Sequence, residues 1–169
     1  METLEPIYTA GGQLKRVRFF MGVCAIVFIG CTYWSYDLLQ HYGLSPGDGG
    51  VLRPIGERLA WGLGVFLLGL FLVLAMDLYG RKYIARVFYD PSSHCLEVET
   101  VRWWGRATKR YAENDVVRAS YHRGHLATDS HTVNAPWYYV RFKGERLAHI
   151  LDAQGEFLDF KLTARLLGL

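Results

Sequence analysis

Cysteine is scarce in this 169-residue sequence, and the signatures of common catalytic sites are missing from it. Cys24, Cys31 and Cys95 are an odd number, and the first two lie inside an apolar run. That spacing builds neither a secreted disulfide framework nor a zinc ribbon. The phosphate-binding motifs G-x-x-x-x-G-K-[ST] and G-x-G-x-x-G and the hydrolase motifs H-E-x-x-H and G-x-S-x-G do not occur. We therefore expect neither an enzyme nor a bound cofactor.

The histidines are the best candidates for binding a metal ion, which would be the alternative to that expectation. His122 and His125 are three residues apart, and His131 follows them. The spacing suits a metal site on a helix, but the segment has the pattern of a strand end and a loop. His94 and Cys95 are adjacent, and neighbours on a strand point to opposite faces. We expect a solvated loop and no nucleophilic pair.

The excess of positive charge in the chain is mild and interspersed with acidic residues. Residues 81–169 hold 14 Lys and Arg against 10 Asp and Glu, and residues 1–80 hold 5 against 6. A nucleic-acid-binding domain normally carries a dense basic stripe. We therefore expect no nucleic-acid partner.

Charge is missing altogether from two apolar runs, residues 19–36 and 59–76. Each run extends about 27 Å as a helix, close to the roughly 30 Å hydrocarbon core of a membrane. We predict a transmembrane hairpin over residues 19–80, with helices at about 19–40 and 57–80. Basic residues concentrate outside the hairpin, which predicts that both ends of the chain face the cytoplasm or the mitochondrial matrix. These residues are Lys15, Arg16, Arg18, Arg81, Lys82 and Arg86.

Small and acidic residues in the hairpin suggest where it makes contacts. Ala60 and Gly64 are four residues apart, and such a pair lets another helix approach closely. Packing within the hairpin and packing against a partner explain the pair equally well. Asp37 and Asp77 lie at the apolar boundaries, where water solvates them, so we do not assign them a proton-relay role.

Residues 81–169 change to a period of two. "CLEVETV" alternates apolar and acidic residues, and "WYYVRF" and "RLAHIL" flank a Lys-Gly-Glu turn. We predict five or six short strands, an exposed loop at residues 125–136 and a closing helix. The fold class is thus membrane α+β: an N-terminal segment (1–18), a two-helix hairpin (19–80) and a small antiparallel β-sheet domain with a C-terminal helix (81–169). The predicted inward face of that helix is Phe157, Phe160, Leu162 and Leu166.

The stretch "RWWG" at residues 102–105 is the most unusual part of the β-sheet domain. Trp103 and Trp104 lie between Arg102 and Arg106. Amphipathic rings next to cations suit contact with a partner or a membrane interface, and packing under the sheet suits them equally. We take these four residues, with Ala60 and Gly64, as the candidate contact sites.

Four segments in this order resemble the mitochondrial inner-membrane family that includes transmembrane proteins 70, 186 and 223. They are "PIYTAGGQLKRVRFF", "RLAWGLGVFLLGLFLVL", "NDVVRASYHRG" and "VRFKGERLAHILDAQGEFLDFKL". The resemblance covers nearly the whole chain. One departure is "METLEPIYTA", which lacks the arginines of a matrix presequence, so import uses internal signals or a presequence precedes this numbering.

The resemblance implies a two-pass inner-membrane protein with both termini in the matrix. It implies a non-catalytic accessory subunit or assembly factor that contacts lipids and the subunits of a respiratory complex. Cytochrome c oxidase, complex IV, is the complex most directly implied, and complex I and ATP synthase are the alternatives. A bacterial-type inner-membrane protein with a lipid-binding or peptide-binding β domain is a further alternative.

Overall fold

The computed structural model describes residues 6–127 and 132–169, which form two compact units. The hairpin unit is Phe19–Leu78, and the sheet unit combines the chain up to Arg18 with Tyr79–Leu169. The helices are α1 (Gly12–His41), α2 (Ile55–Lys82) and α3 (Phe160–Leu167). The strands are β1 (Pro6–Thr9), β2 (Ile84–Asp90), β3 (Cys95–Val101), β4 (Arg106–Ala112), β5 (Val116–His122), β6 (His125–Ala127), β7 (Thr132–Asn134), β8 (Trp137–Phe142), β9 (His149–Asp152) and β10 (Glu156–Phe157).

Helices α1 and α2 are 30 and 28 residues long. Both are long and apolar enough to cross a membrane, and only 11% of each apolar window is buried within the protein. A helix with apolar side chains all round needs a lipid or protein environment to cover it. Two such helices, followed by antiparallel sheets and a C-terminal helix, confirm the predicted fold class.

Helix α1 begins at Gly12, several residues before the predicted start near residue 19. The added segment, "GQLKRVR", is rich in Gln, Leu, Lys and Arg, which have high helix propensity. The helix therefore continues past the apolar run into a basic segment. A search for apolar runs does not detect the polar first turns of this helix.

The hairpin unit brings its two helices together at glycines. Ser35 Oγ donates a hydrogen bond to the Gly62 carbonyl at 2.7 Å. A Cβ on Gly62 would lie 3.1 Å from the Leu39 side chain, and one on Gly69 would lie 2.8 Å from the Cys31 Cβ. A Cβ at Gly69 would therefore force a neighbouring atom to move, and a Cβ at Gly62 would make a tight contact.

The sheet unit contains a five-stranded antiparallel sheet in the order β10-β1-β2-β3-β4. Leu96 and Val98 of β3 are fully buried, while Glu97 and Glu99 on the other face pair with arginines of β4. Strand β1 comes from the segment before α1, outside the range in which we predicted strands. Four residues are too short to show a period of two.

A three-stranded antiparallel sheet has the order β5-β8-β9, and it includes the predicted hairpin around the Lys-Gly-Glu turn. Val140 and Leu151 of this sheet are fully buried. Strands β6 and β7 form a separate ladder within the predicted exposed loop. That loop prediction is therefore wrong for the paired residues, and residues 128–131 lie outside the described part of the chain.

Helix α3 closes the chain as predicted, but with a different inward face. Asp159 caps its first turn by accepting a hydrogen bond from the Leu162 backbone N–H at 2.9 Å. Leu166 and Leu167 are buried, whereas Phe160 is 56% exposed. The prediction is correct at Leu166 and wrong at Phe160. Phe160 is the first residue of α3, and the buried side of the helix is formed by its later turns, which contain Leu166 and Leu167.

Candidate functional site

The turn between β3 and β4 separates its two tryptophans. Trp104 is 91% exposed, whereas Trp103 and Arg102 are half-buried. Gly105 has a φ of 81°, a left-handed conformation that favours glycine. Its carbonyl accepts a hydrogen bond from Arg18 Nη2 at 3.2 Å. The turn is thus held beside the last charged residue before the apolar run of α1, with one indole left open.

Arg106, the fourth candidate residue around "RWWG", forms an ion pair within the sheet unit. Arg106 Nη1 lies 3.1 Å from Glu99 Oε2 in the neighbouring strand. This ion pair joins β3 to β4. Of the four residues proposed around "RWWG", Trp104 therefore presents most surface to a membrane or partner.

Ala60 and Gly64 are exposed, and apart from the neighbouring backbone of α2 no heavy atom lies within 4 Å of where a Cβ on Gly64 would be. Contact between α1 and α2 uses Gly62 and Gly69 instead. Packing within the hairpin therefore does not explain Gly64. The seven-residue spacing of Gly62 and Gly69 was present in the sequence, but glycine also occurs at several open positions of these helices.

Glu145, in the turn between β8 and β9, accepts hydrogen bonds from three side chains. Lys109 Nζ lies 2.6 Å from Oε1, Lys82 Nζ lies 2.8 Å from Oε2, and the Tyr111 hydroxyl donates to Oε1 at 3.2 Å. The hydrogen bonds from Lys109 and Lys82 lower the pKa of Glu145 from 4.5 to about 2. The carboxylate ties this turn to the end of α2 and to β4. Sequence spacing gave no sign of these partners.

His149 is buried beside the Glu145 cluster. It is 2% exposed and makes edge contacts with the rings of Phe142 and Tyr111, at centroid distances of 5.3 and 6.3 Å. Its Nδ1 is buried and has no hydrogen-bond partner among the described residues. Burial first, and then the charge of Lys82, lowers the pKa of His149 from 6.5 to about 4. The imidazole is therefore neutral at pH 7.

A cavity of about 240 Å³ lies in the sheet unit where the end of α2 meets β8 and β9. Half of its lining residues are aromatic and one is a carboxylate, and we call it the aromatic cavity. The walls include Tyr79, Tyr83, Trp137, Tyr139, Ile150 and Asp152. The Trp137 Nε1 atom is buried and finds no acceptor within residues 6–127 and 132–169. The chain thus has an apolar cavity that includes a residue with an unused donor.

Two tyrosines hold the carboxylate residue of this cavity. The Tyr83 hydroxyl donates to Asp152 Oδ2 at 3.2 Å, and the Tyr8 hydroxyl donates to the Asp152 carbonyl at 3.0 Å. Burial, and then the charge of Asp152, raises the pKa of both tyrosines. Both therefore stay protonated and act as fixed donors.

The candidate metal ligands are not gathered in one place. His122 is exposed and stacks on Trp137 at 5.9 Å, His125 lies in β6, and His131 is outside the described residues. In the described part of the chain, no three His, Cys, Asp or Glu side chains are grouped to hold a metal ion. Cys95 Sγ donates to the Ser93 carbonyl at 3.3 Å rather than meeting His94.

Comparison with known proteins places the chain in one family. No curated relative matches the sequence at a significant level. A family model matches residues 7–169, which include α1, α2 and the sheet strands from β2 onward. Because the match spans nearly the whole chain, the protein belongs to the TMEM70/TMEM186/TMEM223 protein family.

Proposed function

We propose that the chain is a non-catalytic accessory subunit or assembly factor of a mitochondrial respiratory complex, most directly cytochrome c oxidase. The family match over residues 7–169 is the observation that carries this proposal. The segments "NDVVRASYHRG" and "VRFKGERLAHILDAQGEFLDFKL" resemble transmembrane protein 223 of this family. That resemblance favours complex IV over complex I and ATP synthase.

The proposed location is the mitochondrial inner membrane, crossed twice, with both termini in the matrix. This location is supported by two helices that are long and apolar enough to cross a membrane. It is also supported by the basic residues that precede the first apolar run and follow the second. Protease added to mitoplasts tests the orientation. Tags at both termini should survive until the inner membrane is dissolved, and cleavage of either tag in intact mitoplasts would contradict it.

The proposed contacts are with protein and lipid. Trp104 is an exposed amphipathic side chain, and the next residue, Gly105, accepts a hydrogen bond from Arg18. Arg18 directly precedes the apolar run of α1. Such rings are enriched at membrane interfaces and in protein interfaces. Ala60 and Gly64 add an open small-residue surface on α2, which allows a partner helix to approach.

Affinity purification of the C-terminally tagged chain in a gentle detergent, followed by quantitative mass spectrometry, tests the partner. Recovery of oxidase subunits at matched stoichiometry would indicate a resident complex IV subunit. Substoichiometric recovery with assembly intermediates would indicate a transient factor. Recovery of complex I or ATP synthase would keep the family and overturn the choice of complex. Recovery of lipid alone would favour the bacterial-type lipid-binding alternative.

The same purification tests Trp104 as a contact. We expect Trp104→Ala to reduce co-purified subunits several-fold, since exposed aromatic anchors contribute strongly to interfaces. Leu147→Ala is the matched control, because Leu147 is a 51% exposed apolar residue in another turn of the sheet unit. Equal recovery with both variants would remove Trp104 from the contact surface.

A further inference from the structure

A second cavity, of about 330 Å³, opens on the same face of the β5-β8-β9 sheet as the aromatic cavity. Most of its walls carry basic and polar groups. The walls include Arg118, Ser120, His122, Tyr139 and Arg141. Tyr139 also lines the aromatic cavity, so the two share a wall. From Trp137 to Arg141, strand β8 covers about 13 Å along this face. We call the combined feature the β8 groove.

The basic end of the β8 groove contains an unfavourable charge pair. Arg118 of β5 lies directly opposite Arg141 of β8 in the ladder, and a register shift between Val116 and Arg118 precedes it. Like charges placed directly opposite one another destabilise a sheet. Both arginines are exposed, and neither forms an ion pair with another described residue. An anion bound between the two guanidinium groups would offset their repulsion.

The other end of the β8 groove is apolar and close in sequence to a candidate membrane span. Tyr79 lies three residues after Met76, where the charge-free run of α2 ends, so about 5 Å of helix separates them. Asp152 is the one acidic side chain among the cavity-lining residues, and Tyr83 holds it. The buried Trp137 N–H still lacks an acceptor within the described residues.

We propose that the β8 groove binds an anionic phospholipid. Arg118 and Arg141 hold the phosphate, with Ser120 and His122 beside them as further donors. The aromatic cavity takes the glycerol and the start of an acyl chain. A cavity of about 240 Å³ holds only part of a lipid. The rest of the lipid therefore stays outside the groove.

Charge and polarity together favour a phospholipid over an acidic peptide. A peptide bound along β8 would need donors or acceptors for its backbone groups, and the aromatic cavity supplies few. In a phospholipid, the anionic phosphate and the apolar acyl chains are attached to the same glycerol. The β8 groove likewise has arginines at one end and aromatic residues at the other. The purified chain should bind the phospholipid without the respiratory complex.

The test uses the full chain in a mild non-ionic detergent, read by native mass spectrometry. The probes are dioctanoyl phosphatidylglycerol, dioctanoyl phosphatidylcholine, glycerol 3-phosphate and an all-glutamate octapeptide. We expect saturable binding of phosphatidylglycerol, at least about tenfold tighter than phosphatidylcholine or glycerol 3-phosphate. Replacing the arginines in Arg118→Gln/Arg141→Gln should weaken phosphatidylglycerol binding by about tenfold or more, because two charge-assisted contacts are lost.

Two further variants separate charge from cavity. Lys161→Gln/Arg165→Gln removes the same charge from exposed positions of α3, and we expect binding within about twofold of the original chain. Ala135→Phe adds a ring at an exposed residue that lines the aromatic cavity. It should weaken phosphatidylglycerol binding while leaving glycerol 3-phosphate binding unchanged.

Four results would overturn the proposal. Equal binding of glycerol 3-phosphate and phosphatidylglycerol would mean an anion site without a lipid chain. Tighter binding of the octapeptide than of phosphatidylglycerol would mean an acidic-peptide site. An equal loss in both double variants would mean non-specific charge attraction. Unchanged binding after Arg118→Gln/Arg141→Gln, in a protein with an unchanged circular dichroism spectrum, would place the lipid elsewhere.

Discussion

Glu145 connects more elements of the sheet unit than its place in a short turn suggests. Its two carboxylate oxygens contact Lys82 at the end of α2 and Lys109 and Tyr111 in β4. The Glu145 and Lys82 side chains are 17% and 18% exposed. Removing one partner of a largely buried ion pair leaves the other charge without compensation, and that loss usually exceeds the net value of the pair.

We expect Glu145→Gln to lower the free energy of unfolding by about 2 kcal/mol, because Lys82 then keeps its charge in a largely buried position. Glu97→Gln is the control, since its partner Arg110 is 77% exposed and the loss should stay below about 0.5 kcal/mol. Urea unfolding of both variants in the same detergent makes the comparison. Similar losses would show that the Glu145 cluster does not hold the turn.

Two groups with lowered pKa values predict separate regions of acid sensitivity. Glu145 titrates at about 2 in the fold and near 4.5 when unfolded, so its contribution is present above pH 4.5 and is lost towards pH 2. His149 titrates at about 4 in the fold and near 6.5 when unfolded. The unfolded chain therefore binds more protons between pH 6.5 and 4, and stability falls as the pH drops through that range.

Replacing His149 should flatten the upper of these two regions. We expect His149→Phe to lose most of the stability change between pH 6.5 and 4 while altering stability at pH 7.5 by less than about 1 kcal/mol, because Nδ1 makes no hydrogen bond with a described residue. Melting temperatures at half-unit pH steps measure the change of stability with pH, and an unchanged slope in His149→Phe would contradict the assignment.

Residue types pointed to some residues of the candidate site, whereas others come together only through strand pairing. "RWWG" drew attention because tryptophan beside arginine is unusual, and Trp104 is the exposed ring of the pair. Arg118 and Arg141 are 23 positions apart, and only the pairing of β5 with β8 places them opposite each other. No local pattern encodes a contact of that sequence separation.

At the scale of elements, the pattern of apolar and polar residues predicted the two long helices, the β8–β9 hairpin and α3. It missed β1, which consists of four residues and depends on the neighbouring strands β2 and β10. It left open whether Ala60 and Gly64 pack within the hairpin or against a partner, and the close approach of α1 and α2 occurs at Gly62 and Gly69. Helix packing depends on the rotation of each helix, and a helix that is apolar all round gives little periodic signal to fix that rotation.

The contact between α1 and α2 gives a prediction at this scale. Gly69→Leu should destabilise the hairpin by about 2 kcal/mol, since even a Cβ at Gly69 would lie 2.8 Å from the Cys31 Cβ. Gly64→Leu is the matched control, because apart from the neighbouring backbone of α2 no heavy atom lies within 4 Å of where its Cβ would be. Spin-label distances between the helices should increase in the first variant only. An increase in both would mean that the helices pack through another face.

At the scale of the whole molecule, the chain joins an apolar hairpin to a unit with three described antiparallel sheets, and the family match extends across both. Composition predicted the membrane hairpin and the fold class without any comparison. The choice of respiratory complex rests on resemblance, because the identity of a binding partner depends on surface complementarity that one sequence does not encode.

The most direct test of the proposed function is the abundance of assembled respiratory complexes in cells that lack the chain. Native gel electrophoresis of detergent-solubilised mitochondria, with quantitative mass spectrometry of each band, measures all complexes at once. We expect a selective loss of assembled complex IV that is restored by re-expressing the original chain. Normal levels of every respiratory complex and of ATP synthase, in cells confirmed to lack the chain, would contradict a role in respiratory complexes.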